Sequence, residues 1–206
     1  MKNLRIAIFA SGAGSNAMAL IQKMKELSSG KIEFLLSDRN EALVLERAMH
    51  EGIQTYLVEK QTDTAAHELE ILRLIDKHQV DWILLAGYMR LISSEFLKSL
   101  ALRHQGKVQL VNIHPSLLPA YPGAKAMERA FADKVPESGV TIHFVDKGMD
   151  TGEILAQEKV QILHNESFQE FKSKIHNLEH QMYTQLLEKI VSGKIPTNYF
   201  EEVIEC

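Results

Sequence analysis

Cysteine is almost missing from this chain: the only one among 206 residues is Cys206, the last. That excludes an internal disulfide and a clustered thiolate metal site, and it fits a reducing compartment, expected to be the cytoplasm. A basic excess is lacking too. With 27 acidic against 23 basic side chains the formal charge is -4, which offers no electrostatic footprint to nucleic acid or to an anionic membrane surface. Any phosphate this protein holds is therefore expected to be small and locally bound. Long apolar runs are absent: Ile6 to Ala10 is too short for a signal h-region and far too short to span a bilayer. There is no internal repeat, no low-complexity tract and no linker long enough to divide the chain. Since 45% of the residues are hydrophobic, a full core can form, and one domain over residues 1–206 is expected.

What is present alternates. Short apolar runs rich in branched residues recur at Leu4–Ala10, Ile32–Leu36, Ile53–Val58, Trp82–Ala86, Leu110–Ile113, Val140–Val145 and Ile154–Ile162, each read as a strand. Helical spacing lies between most of them, at Asn16–Leu27, Glu41–His50, Ala65–His78, Ser94–Leu102 and Lys125–Phe131. A β-α-β-α alternation calls for an α/β fold: an open, mainly parallel twisted sheet with helices on both faces. Val140–Ile162 has no room for a helix, so its two strands are expected to be antiparallel, turning around Asp146–Gly152. Phe168, Phe171, Ile175, Leu178, Met182, Leu186 and Ile190 step at three or four, which predicts one long amphipathic helix over Ser167–Val191. Ser167 and Glu170 have the spacing of a capping box, and Gly193 and Pro196 end the helix. On helical spacing alone Glu179 reads as solvated surface.

Three segments carry chemistry. Ser11-Gly-Ala-Gly-Ser-Asn16 follows the first strand and opens the first helix, where unpaired backbone N–H groups and the helix dipole favour an anion. The same glycines match a dinucleotide fingerprint with alanine in its last place, and Asp38 stands at the distance of a ribose partner. A mononucleotide phosphate, a dinucleotide and a plain structural turn all remain open on this loop alone. Asn112 and His114, in Leu110-Val-Asn-Ile-His-Pro-Ser-Leu-Leu-Pro119, are two apart on a strand and so share a face, with Pro115 restricting His114 to an extended conformation. That face offers an amide donor beside an imidazole, one for an oxyanion and one for a proton. The bland alternative is a histidine that only closes a loop. After Thr141-Ile-His143-Phe-Val comes a turn with two carboxylates, of which Asp150 is the candidate to hold His114 in one tautomer and Asp146 could as easily cap the turn.

Asn112-Ile-His114-Pro-Ser-Leu-Leu-Pro119 followed by Thr141-Ile-His143-Phe-Val and Asp150, with the Ser11–Asn16 loop and Leu85-Ala-Gly-Tyr-Met-Arg90-Leu-Ile-Ser93, resembles the folate-dependent glycinamide ribonucleotide formyltransferase family from the first strand to near Leu187. The resemblance implies a Rossmann-like formyltransferase domain whose residues 1–100 are mainly the nucleotide and phosphate half and whose residues 101–206 are the catalytic and folate half. It implies that Gly14, Ser15 and Asn16 receive the ribonucleotide phosphate and that Glu179 contacts its sugar end. Met89, Arg90, Leu91 and Ile92, with Asn112 and the turn Asp146, Lys147, Gly148, Met149 and Asp150, would line the pterin pocket of 10-formyltetrahydrofolate, the co-substrate. Asn112, His114 and Asp150 would be the catalytic set: Asn112 and a protonated His114 facing the oxyanion of a tetrahedral intermediate, Asp150 taking the amine's proton through a water. No metal is called for, and the histidines are read as forming no H-E-x-x-H or comparable pair.

Two positions depart from the family. Thr64 stands where members often carry an arginine for the glutamate tail of the folate, and Ala13 stands where a polar residue is common. A formyltetrahydrofolate hydrolase could use the same Asn, His and Asp with water as acceptor. A transfer-RNA formyltransferase would be expected to carry a basic region after the catalytic part, whereas Tyr199–Cys206 is acidic; a non-catalytic folate or nucleotide sensor would not need the triad. The expected partners are thus glycinamide ribonucleotide and a folate, with no nucleic acid and no membrane, in a monomer or homodimer.

Overall fold

Residues 3–59 and 63–195 are described by the computed structural model. Pro196 and the stretch Tyr199–Cys206, which carry expectations above, lie outside the described residues. The strands are β1 (Arg5–Phe9), β2 (Lys31–Ser37), β3 (Thr55–Leu57), β4 (Trp82–Leu85), β5 (Leu110–His114), β6 (Glu137–Phe144) and β7 (Ile154–Gln161). The helices are α1 (Ser15–Glu26), α2 (Leu43–His50), α3 (Thr64–His78), α4 (Ser94–Arg103), α5 (Ala126–Ala132) and α6 (Phe168–Val191). They form one seven-stranded sheet of order β3-β2-β1-β4-β5-β6-β7. β1 to β5 pair in parallel, while β6 and β7 run antiparallel to their neighbours.

The apolar run of β1 shows why the sheet is covered on both faces. Ile6 and Ile8 join a core with Leu20, Ile21 and Met24 of α1 and Phe171, Ile175 and Tyr183 of α6. Ala7 and Phe9, pointing the other way, join Ile71 and Ile75 of α3 and Phe96 and Leu100 of α4. Each element expected from periodicity is found, with boundaries moved by pairing. β6 starts at Glu137 rather than Val140 because its ladder with β7 runs on to Gln161. β3, at the sheet edge with one partner, keeps only three residues.

α6 begins as its sequence dictates: the Ser167 side chain accepts from the Glu170 N–H, and the Glu170 carboxylate accepts in turn from the Ser167 N–H at 2.8 Å. Among the described residues no helix is long and apolar enough to cross a membrane. The order of strands reverses between β1 and β4, which are neighbours although α1 to α3 separate them in sequence. In open sheets of this kind the loops leaving such a pair diverge and open a crevice.

Candidate active site

β5 and β6 build the centre of the site by register. Asn112 lies opposite His143 and His114 opposite Thr141, so residues from two strands share one face at the carboxyl end of β5. Leu110 of the same face is covered by the α3–α4 core, whereas Asn112 and His114 meet polar groups. Asp150 comes to them from the β6–β7 turn with φ of 56°, a left-handed backbone that aspartate tolerates better than most residues. Its Oδ2 lies 3.4 Å from His114 Nδ1 and accepts the Gly123 N–H at 2.7 Å. Its Oδ1 lies 3.4 Å from Asn112 Nδ2 and 3.5 Å from His143 Nε2.

Burial pushes the Asp150 carboxyl up, yet the His143 hydrogen bond, the Gly123 amide and the neighbouring imidazoles of His114 and His143 outweigh it and hold it at about 2. For His114 burial dominates. It pushes the imidazole below its ordinary range, against the Tyr121 carbonyl and Asp150, which pull it up. His114 Nε2 donates to the Tyr121 carbonyl at 2.9 Å, so Nδ1 can bond Asp150 only when it too is protonated. The standing charge expected of His114 from the sequence is therefore disfavoured here; the ring is one proton short of a full bond to Asp150. Asp146, by contrast, caps its own turn, accepting from Gly148 N at 3.0 Å and from Thr151 Oγ1 at 2.8 Å.

The glycine loop is held from α2. Val44 N–H donates to the Gly12 carbonyl at 3.2 Å and Arg47 Nη1 to the Ala13 carbonyl at 2.8 Å, which turns the carbonyls to that side and leaves the amino end of α1 with no side-chain cap. Gly14 needs to be glycine: its φ is 76° and a Cβ there would collide with the Val44 side chain. Asn16 is buried at the first turn of α1. Glu179 is buried as well, 6% exposed, and this corrects the surface reading. Burial pushes its carboxyl up to about 7, against a hydrogen bond from Asn16. The signal was there: Phe171, Ile175, Glu179, Met182, Leu186 and Ile190 are all buried on one stripe of α6, and Glu179 occupies the place between Ile175 and Met182.

A cleft of about 540 Å³ is lined by Asp38, Arg39, Thr64 and Met89 to Ser93. It takes in Met89, Arg90, Leu91 and Ile92. The β6–β7 turn folds around Asp146, with Lys147 and Met149 exposed. Thr64, the first residue of α3, shares the cleft with Arg39 and Arg90. Sequence reasoning missed three groups of the centre: His143 as a neighbour of Asp150, and the Tyr121 carbonyl and Gly123 amide from the loop after His114. Alternation in Thr141-Ile-His143 pointed to the right face, but the partner strand and its register are not local properties. His176 and His180, one turn apart on α6, also have a ligand-pair spacing that the sequence reading passed over. Among the described residues no group of three or more His, Cys, Asp or Glu side chains could hold a metal ion.

With this geometry in place, comparison with known proteins is informative. A model of the formyl transferase family matches residues 4–187. The chain is 38% identical over 190 residues to phosphoribosylglycinamide formyltransferase of Bacillus subtilis (strain 168), covering 91% of this chain and 94% of that protein. It is 37% identical over 195 residues to the trifunctional purine biosynthetic protein adenosine-3 of Drosophila melanogaster, 92% of this chain but only 14% of that protein. Among solved structures, glycinamide ribonucleotide transformylase 1 from Geobacillus kaustophilus is 40% identical with a TM-score of 0.84, covering 92% of this chain and 100% of that one. The carboxylate set on the Asn–His strand end and the match along nearly the whole sheet lead to one conclusion: this chain belongs to the formyl transferase family.

Proposed function

We propose that this chain transfers the formyl group of 10-formyltetrahydrofolate to the amine of glycinamide ribonucleotide, a step of purine nucleotide synthesis. The observation that carries the reading is the meeting of Asn112, His114 and Asp150 within 3.4 Å contacts in a chain so close in sequence to enzymes of that name. The glycine loop with Gly14, Ser15 and Asn16 at the uncapped start of α1 suits the ribonucleotide phosphate, and Glu179, touching Asn16, suits its sugar. The cleft at Met89–Ile92 has the size for a pterin. Both halves, residues 1–100 and 101–206, would then serve both substrates. A cytoplasmic setting belongs to the same reading and rests on the single cysteine.

In the reaction the amine nitrogen bonds to the formyl carbon, whose oxygen takes up negative charge. Asn112 directs an amide N–H at that oxygen, a contact whose loss costs on the order of a hundredfold to a thousandfold in rate. The nitrogen becomes cationic and gives up a proton through a water held by Asp150. His114 gains a proton, completes its bond to Asp150 and supplies the positive charge; it then returns the proton to the folate nitrogen as the carbon–nitrogen bond to the folate breaks.

Mixing the protein with 10-formyltetrahydrofolate and following folate absorbance with and without glycinamide ribonucleotide tests the reading. Acceptor-dependent deformylation is expected, and deformylation that ignores the acceptor would assign a hydrolase. Asp150→Asn should keep the fold and folate binding and lose about a hundredfold or more in turnover; near wild-type turnover removes Asp150 from the chemistry.

A further inference from the structure

Ser11 stands at the carboxyl end of β1, where the strand order reverses toward β4. It is 3% exposed. By sequence it opens the glycine loop, yet its hydrogen bonds reach elsewhere. Its N–H donates to the Gly87 carbonyl at 3.1 Å. Its hydroxyl accepts the Met89 N–H at 2.9 Å and donates to Asp38 Oδ1 at 2.5 Å. The carboxylate orients the O–H, which leaves an oxygen lone pair for Met89, so one small side chain ties the ends of β1, β2 and β4 together.

The segment that Ser11 grips has little packing of its own. Met89 and Leu91 are each 68% exposed. Its other end is fastened by Ser93, whose N–H donates to Glu68 Oε1 at 2.9 Å and whose hydroxyl donates to the other oxygen of that buried carboxylate. Met89–Ser93 is thus a strap hydrogen-bonded at its two ends, with Ile92 packed on the α3–α4 core near the second, so at the Met89 end the hydrogen bond to Ser11 sets where the backbone lies. The Met89 N–H is already engaged by Ser11, so the backbone offered to a ligand is that of Arg90, Leu91 and Ile92.

We propose that Ser11 is a positioning residue for the folate and not for the ribonucleotide: its hydroxyl fixes Met89 so that the backbone of Arg90–Ile92 meets the pterin in register. This rests on the assignment of that strap to the folate. Without the hydroxyl the strap keeps its Glu68 anchor and the Ile92 packing at one end only, and the ordering lost at Met89 must come out of the binding free energy of the folate. The phosphate loop, held from α2 by the Val44 and Arg47 contacts, keeps its shape.

The test is steady-state kinetics on Ser11→Ala, Ser11→Thr and Ser11→Ala with Asp38→Ala, each substrate varied in turn, together with amide exchange at Met89. Ser11→Ala is expected to raise the KM for 10-formyltetrahydrofolate about tenfold, with the KM for glycinamide ribonucleotide unchanged within about twofold, and to speed Met89 exchange about tenfold. Ser11→Thr, which keeps the hydroxyl, should restore the folate KM. Adding Asp38→Ala to Ser11→Ala should leave Met89 exchange where Ser11→Ala alone puts it, because both act on that amide through one relay. Equal rises in both KM values, or an unchanged folate KM with faster Met89 exchange, overturn the proposal. Should Ser11→Ala not fold, Asp38→Ala alone is compared, and an unaltered folate KM there also overturns it. A wild-type protein without acceptor-dependent turnover sinks the functional reading instead, and calorimetric titration of the folate into wild type and variant then decides the role of Ser11 by itself.

Discussion

Glu179 and Asp150 are two buried carboxylates displaced in opposite directions, and the cause in each case is local. Glu179 has one amide neighbour, Asn16, and burial wins, so it sits at about 7 against an ordinary 4.5. Asp150 has two imidazoles and a backbone amide around it, and they bring it to about 2 from 3.8. The signs follow. Glu179 holds a proton that the unfolded chain has lost, so its contribution to stability is complete below pH 4.5 and disappears as pH rises through about 7. Asp150 contributes above pH 3.8 and loses that contribution as pH falls through about 2. Glu179→Gln is neutral throughout. Wild-type stability relative to this variant should therefore fall by up to about 3 kcal/mol as pH is raised from 4.5 past 7. Thermal unfolding of both proteins across that range measures it, and a constant difference would mean that Glu179 is ionised throughout.

At the level of elements, α6 is the clearest case of a helix specified by its own residues. The Ser167–Glu170 box satisfies two amides that the first turn would otherwise leave unpaired. Ser167→Ala should cost about 1 kcal/mol in urea unfolding and leave turnover alone, because the box lies more than three turns before Glu179, which sits in the middle of α6. α1 differs. Its start depends on Gly14 in a left-handed conformation against Val44, and it goes without a side-chain cap. A helix start without a side-chain cap leaves its first amides for a ligand.

Across the whole molecule, one side chain joins the long helix to the middle of the sheet. The Tyr183 hydroxyl donates to the Leu85 carbonyl at 2.9 Å, with the Val111 carbonyl at 3.4 Å. Burial pushes that phenol well above its ordinary range, so it remains a donor. Tyr183→Phe should lower stability by about 1 kcal/mol, read as a shift in urea midpoint without a change in slope. A larger effect on folate KM than on stability would mean that the β4 end, which leads into Met89–Ser93, is held from α6 as well.

The strands and helices of the described residues and their order were legible in the sequence because periodicity and capping are local: a residue's neighbours at two, three and four positions decide them. Asn112 and His114 could be placed on one face for the same reason. Pairing could not be read that way. His143 became a neighbour of Asp150 only through the β5–β6 register, Glu179 became buried only because α6 lies on α1, and Ser11 left its own loop for Met89 only because β4 lies beside β1. The sequence by itself determined the elements, the α/β class and the candidate residues of the site. Tertiary structure alone decided which of them meet, because contact between distant segments depends on strand order, register and burial, and these are properties of the assembled sheet.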